Sequence, residues 1–256
     1  MDAFFSDPWF WAAALPAVFL VGLSKGGFGG SMGFVGVPLM SLAMPPLQAA
    51  AILLPIMILM DIVALWSWRG VHDRRTLAYM LPGSMLGIAI GGLLAAQVTV
   101  AAIRLAVGAV AIVFVGRWLH GEYVRKKSSL RGHDGVRATF WSAVSGFTSF
   151  VAHVGGPPFQ IYVLPLGLDP KTMTGTSVVF FAVTNAVKLI PYFALGQFDA
   201  TNLAVSAALT PIAPAATLLG AWLVRRMRPE VFYPFTYAVV GVIALKLVWD
   251  GVAALL

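Results

Sequence analysis

The 256-residue sequence has no cysteine, and only 11% of its residues are charged. The first absence excludes disulfides, thiolate metal sites and cysteine nucleophiles. The second, beside 59% hydrophobic residues, leaves too little polar surface for a soluble domain, which carries roughly 25% charged residues. Acids are the scarcer sign, ten against seventeen bases, for a net charge of +7. No GxxxxGK[ST] stretch is present, so the chain carries no phosphate loop for ATP hydrolysis. No ten-residue alternation of apolar and polar positions is present either, which disfavours a transmembrane barrel. The opening residues MDAFFSDPWF bear two acids where a signal peptide has a basic region, so the first apolar run reads as a retained span. No cofactor, metal site or catalytic residue is assigned.

What is present is apolar sequence in long runs. Segments bounded by charge or turn residues fall at 9–24, 31–44, 47–68, 76–97 and 103–119, then at 137–153, 157–168, 172–195, 202–224 and 231–250. The fold class expected is an all-α polytopic membrane protein. Residues 1–119 form a first membrane repeat, 120–136 a cytoplasmic linker and 137–256 a second, inverted repeat. With that linker inside and every segment reversing direction, fourteen of the seventeen bases lie on the inner side. In a soluble protein such a charge points to nucleic acid, but here it is a topology signal. The positive-inside rule then places both termini outside.

Five segments per half start the second half on the opposite face, the geometry of an inverted-topology repeat. At an offset of 124, Gly22 matches Gly146, Ser24 matches Thr148, Leu42 matches Leu166, Pro46 matches Pro170 and Asp61 meets the near-isosteric Asn185. Later, at an offset of 129, Gly91 meets Gly220 and Arg117 meets Lys246.

In each half the second segment is too short for an upright crossing, about 21 Å for 31–44 and about 18 Å for 157–168. Glycine- and proline-rich stretches interrupt the chain there, GLSKGGFGGSMG from Gly22 and GFTSFVAHVGGPP from Gly146. Matching breaks in two inverted halves point to a substrate site near the midplane. Half-helix N-termini there attract anions. The candidate substrate-binding residues are Ser24, Lys25, Gly29, Gly30, Ser31, His153, Gly155, Gly156, Gln160, Thr176, Ser177, Asn185 and Lys188, and Asp61 is the candidate for coupling or gating. One acid against two lysines and a histidine favours an anionic substrate.

Each candidate has a plainer reading. Lys25 at a helix end, like Lys246, can snorkel to lipid phosphate. Lys188 is flanked by Ala186, Val187, Leu189 and Ile190, which favours function, although its stem can also reach water past Pro191. Asp61, alone in LLPIMILMDIVALW, is functional by default for an intramembrane carboxylate, with a structural partner for a buried base as the alternative. His153 is a proton carrier, an anion ligand or a helix cap. The glycines serve close packing in most settings, although GGFGG and the run from Thr174 to Ser177 exceed what packing needs.

At these residues the sequence resembles the TauE/SafE sulfite exporter family, also called the toluene sulfonate uptake permease family. The resemblance lies in GLSKGGFGG to Pro38, in AAILLPIMILMDIVALWSWRG, in PGSMLGIAIGG, and in the stretch from His153 to Tyr192. It implies transport of small sulfur-containing anions, such as sulfite, thiosulfate or an organosulfonate, across a bacterial inner membrane, often as export, and with that membrane the outer side on which both termini are expected is the periplasm. The resulting expectation is a secondary carrier working by alternating access, with protons or Na+ as the coupling ion. The alternatives are an anion channel of the same architecture and an intramembrane serine hydrolase using Ser24 or Ser149 with His153.

Overall fold

The structure, a computed structural model, describes residues 7–28, 36–44, 46–94, 99–120, 130–194 and 198–254. Among these residues every regular element is helical and no strand occurs. The first half holds α1 (Pro8–Gly27), the short α2 (Gly36–Met40), α3 (Pro46–Ser67), α4 (Arg74–Leu94) and α5 (Val100–Leu119). The second holds α6 (Gly135–Ala152), the short α7 (Gly156–Val163) with a 3-10 turn at Leu164–Leu166, α8 (Pro170–Ala194), α9 (Ala200–Leu209), α10 (Ile212–Arg226) and α11 (Pro229–Ala253).

Half of the scarce acids are spent on starting helices. The side chains of Asp7, Asp73, Asp134, Asp169 and Asp199 accept hydrogen bonds from first-turn N–H groups of α1, α4, α6, α8 and α9, at 2.8 to 3.3 Å. These donors have no partner within their own helix, and a carboxylate there also meets the positive end of the helix dipole.

Among the described residues five helices are long and apolar enough to cross a membrane: α1, the stretch Gln48–Ser67 of α3, α4, α8 and α11. The segment expected over 202–224 is not one helix. It divides into α9 and α10, bent by 49°, and makes a sixth crossing when the pair is counted together. Prolines inside α1, α3, α4, α8 and α11 are accommodated singly. At the bend, Pro211 and Pro214 remove two donors within one turn, and the chain gives way. The five-residue α2 and eight-residue α7 are too short to cross.

Helices pair across the two halves: α1 lies along α10, α4 along α6, α5 along α11 and α3 against α8. Small residues let backbones touch at these seams. A Cβ on Gly26 would fall 1.9 Å from the Thr217 carbonyl oxygen, and one on Gly87 would fall 2.0 Å from that of Ala143. Two apolar clusters flank the polar centre, one built on Phe10, Met40, Ile52 and Met60, the other on Trp68, Phe159, Phe180 and Val224.

Candidate functional site

Helices α3 and α8 both begin at a proline, Pro46 and Pro170, and each carries a polar residue fifteen positions further on, Asp61 and Asn185. These two side chains meet: the Asn185 amide donates to Asp61 Oδ2 at 2.6 Å. The Lys25 ammonium donates to Asp61 Oδ1, also at 2.6 Å, with both partners buried. Lys25 lies in the last turn of α1, where a cation offsets the negative end of the helix dipole, and it also faces the Phe181 ring at 5.8 Å.

Past Lys25, the carbonyl groups at the end of α1 run out of helical partners. Side chains from other helices supply them. Trp68 Nε1 donates to the Gly26 carbonyl at 2.7 Å, Thr174 Oγ1 to that of Gly27 at 3.0 Å and Gln160 Nε2 to that of Phe28 at 3.3 Å. Gln160 thereby ties the second break to the first.

The second break is built on hydroxyl groups. α6 ends at His153, which has φ 56° and ψ 28°, the left-handed region, and is the one non-glycine with positive φ among the described residues. Such a conformation costs roughly 1–3 kcal/mol and persists where surrounding contacts enforce it. Here Ser145 Oγ donates to the Gly155 carbonyl at 2.7 Å and Thr148 Oγ1 to that of Val154 at 3.0 Å. One turn beyond Asn185, the buried Lys188 ammonium donates to Ser149 Oγ at 3.1 Å and to its carbonyl at 3.3 Å. Tyr192 donates to the Phe150 carbonyl and sets its ring against His153, centroids 6.1 Å apart.

Three buried side-chain atoms at this break have no partner among the described residues: His153 Nδ1, His153 Nε2 and Gln160 Oε1. Buried polar atoms are nearly always paired, and such exceptions mark places where a water or ligand sits. The start of α7 is a weaker anion cradle than an ordinary helix N-terminus, because Pro157 and Pro158 remove two N–H groups and leave those of Gly155 and Gly156.

Of the candidates named from the sequence, Lys25, Asp61 and Asn185 form one bonded group, while Lys188, His153, Gly155, Gly156 and Gln160 line the second break. Ser24 is buried beside Lys25, and its carbonyl accepts the Phe28 N–H at 2.9 Å. Gly29, Gly30 and Ser31 lie outside the described residues. Thr176 and Ser177 are not brought into the group. They sit about two turns away along α8, roughly 13 Å from Asn185 at the helical rise. Thr176 donates to the Thr172 carbonyl and Ser177 to that of Thr174, both at 2.7 Å.

Lys25 does not snorkel, whereas Lys246 is exposed and pairs with Asp250. Close packing accounts for Gly26, Gly27 and Gly175, each with a backbone atom where a Cβ would stand. Ser149 and His153 are not hydrogen-bonded to each other: the serine hydroxyl accepts from Lys188, and the imidazole nitrogens have no partner among the described residues. Tyr192, Trp68 and Thr174 complete the site without having been singled out as ligands. Ser149 was legible in another way, as the position 124 residues after Lys25.

Two further polar clasps link the halves, one at each end of α3 and α8. In the first, the Asp73 N–H donates to Thr176 Oγ1 at 2.8 Å, Thr76 Oγ1 donates to the Asp73 carboxylate at 2.5 Å, and His133 Nε2 lies 2.8 Å from that carboxylate. In the second, Gln48 Nε2 donates to Asn202 Oδ1 at 3.0 Å, and Asn202 Nδ2 donates to the Asp199 carboxylate at 2.6 Å. Burial acts to raise the Asp73 carboxyl, but hydrogen bonds from Thr76, His133 and Arg75 outweigh it and hold the group below its ordinary value. Asp169 is lowered in the same way: burial is opposed by bonds from Thr172 and Lys171.

The family model described as sulfite exporter TauE/SafE matches residues 14–247, which takes in both breaks and every member of the buried group. No curated protein and no solved structure matches the chain.

Proposed function

Because the chain belongs to the sulfite exporter TauE/SafE family of membrane transporters, we propose that it is a secondary carrier of a small sulfur-containing anion, an organosulfonate, sulfite or thiosulfate, working as an exporter by alternating access. One observation carries this reading. The ionisable side chains buried among the described residues, apart from tyrosines, are Lys25, Asp61, His153 and Lys188. They gather where the two chain breaks approach α3 and α8, with unpartnered polar atoms beside them. Isolated charges are costly inside a bilayer, and a cluster with excess positive charge at broken backbone is suited to an anion.

The inverted repeat is supported by the exchange of partners between halves, in which the first helix of each half lies along the fourth segment of the other. It is supported also by the Asp61–Asn185 bond, because a contact between positions 124 apart falls on the axis relating two halves offset by 124. The two clasps support alternating access. Asp73 with Thr76 and Asp199 with Asn202 repeat one local motif at an offset of 126, and each reaches the third segment of the opposite half. They are suited to serve as inner and outer gates. The charge distribution over loops supports both termini lying outside, which in the bacterial inner membrane implied by the family resemblance is the periplasm.

In this mechanism Lys188, His153 and Gln160 hold the anion. Asp61 has both oxygens engaged, by Lys25 and Asn185, and acts in coupling or gating rather than in substrate contact. Proton coupling then requires that the Lys25–Asp61 pair open during the cycle. The test is labelled sulfite or methanesulfonate flux in proteoliposomes. Saturation at low substrate together with counterflow of labelled anion supports the carrier. Conductance far above carrier turnover identifies a channel instead, and absence of both refutes the reading.

A further inference from the structure

We infer that the buried site discriminates by charge, accepting a singly charged sulfur anion and disfavouring a doubly charged one. The inference rests on the carrier reading above and narrows its substrate class. Counted formally with histidine neutral, Lys25, Lys188 and Asp61 sum to +1. No other Asp, Glu, Lys or Arg is buried among the residues whose side chains are described.

The distribution of that charge matters as much as its sum. Lys25 is closed on Asp61 at 2.6 Å, so the pair presents no excess. Lys188, 1% exposed, has only neutral acceptors among the described residues, the hydroxyl and carbonyl oxygens of Ser149. Two of its three N–H donors are thus engaged, and the unmatched charge resides at the break where His153 Nδ1, His153 Nε2 and Gln160 Oε1 are unpartnered. Excess charge buried in a low-dielectric interior is costly until a counter-ion neutralises it. A monoanion brings the occluded site to zero. A dianion overshoots to −1, and it does so near the Asp61 carboxylate.

Methanesulfonate and sulfate make a sharp pair of probes, since both are tetrahedral and of similar size, and they carry one and two charges at neutral pH. Calorimetric titration of the purified full chain in lipid nanodiscs should find methanesulfonate bound more tightly by at least about tenfold, the order expected of one extra charge several ångströms away. Asp61→Asn raises the site charge to +2 and should shift the preference toward sulfate by about tenfold or more. Equal or tighter sulfate binding by the parent, or an unchanged preference in Asp61→Asn, overturns charge selection while leaving an anion carrier standing. Failure of the folded parent to bind either probe, or sulfite, removes the carrier reading as well. If Asp61→Asn does not fold, Lys188→Gln decides: with the site charge at zero, methanesulfonate affinity should fall about tenfold or more, and retained affinity overturns the inference.

Discussion

Replacing Lys25 by methionine keeps the length of the side chain and removes the ammonium that faces Asp61 at 2.6 Å. At that distance two unit charges attract by about 6 kcal/mol at an effective dielectric of 20, before the cost of desolvating them is subtracted. The measured loss will be smaller. Breaking a buried pair by deleting one member costs roughly 3–5 kcal/mol, chiefly because the survivor is left uncompensated. Asp61 retains the Asn185 amide, and a hydrogen bond to a charged group is worth roughly 1.5–3 kcal/mol, which places the expectation near about 3 kcal/mol. For a chain of this size that lowers the melting temperature by roughly 6–12 °C.

The assay is thermal unfolding of detergent-purified protein, followed by tryptophan fluorescence, for the parent, Lys25→Met, Asp61→Asn and the double variant. Removing both charges leaves no orphan, so the double variant should melt above the sum of the two single losses, with a coupling of at least about 1 kcal/mol. A lysine that merely snorkelled would show neither effect. Parent-like melting of Lys25→Met, or strict additivity in the double variant, would refute the ion pair as described.

Gly26→Ala should destabilise by roughly 1–3 kcal/mol, because the added Cβ lands on the Thr217 carbonyl and forces α1 away from α10; Gly116→Ala, inside α5 with nothing within 4 Å, should cause no loss in the same melting assay and a gain of up to about 1 kcal/mol. The lowered carboxyl of Asp73 contributes stability that is fully present above the unfolded-state value and is lost as pH falls below about 4. Asp73→Asn should therefore flatten the acid limb of melting temperature against pH, and an unchanged limb would assign acid sensitivity elsewhere. Transport by Asp61→Asn should lose its pH dependence or stop altogether, since asparagine reproduces the shape of the carboxylate but cannot titrate. A parent-like pH profile of flux would move coupling to His153.

Much of this organisation is legible in the sequence because a bilayer restricts what a chain can do. Apolar runs locate helices, and scarce buried charges stand out. Asp61, Lys188 and His153 were conspicuous for that reason, and the 124-residue offset singled out Asn185. What the pattern hid depends on three-dimensional proximity. Nothing local distinguishes Lys25 as an ion-pair partner from Lys25 as an anchor, because the answer lies 36 residues away on α3. Trp68, Thr174 and Tyr192 act by reaching carbonyl groups on other helices, and a lone hydroxyl or indole in an apolar run carries no mark of its target. Thr176 and Ser177 stand apart for the converse reason: hydroxyl residues clustered beside a glycine resemble a ligand shell, while in the structure their hydrogen bonds go to the start of α8 and to the clasp with Asp73. The break at Pro211 was hidden because five other helices carry an internal proline without dividing.

The chemistry at the centre follows from the geometry of the proposed repeat. Positions related by a two-fold axis and lying on it must touch each other, as Asp61 and Asn185 do. A strict repeat would put two carboxylates in contact, and like charges at that distance cannot both remain ionised in a low-dielectric site. Two asparagines would leave Lys25 buried without a counter-ion. One acid and one amide satisfy both requirements, since the acid neutralises Lys25 and the amide donates to the oxygen that Lys25 does not use. The same logic extends to the next pair of equivalent positions. A second lysine at 149 would stand against Lys188, whereas Ser149 offers that ammonium a hydroxyl and a carbonyl. In the proposed repeat, symmetry at the axis thus demands chemical asymmetry beside it, and Lys188, with neutral partners only among the described residues, is the group we propose to meet the charge of the anion.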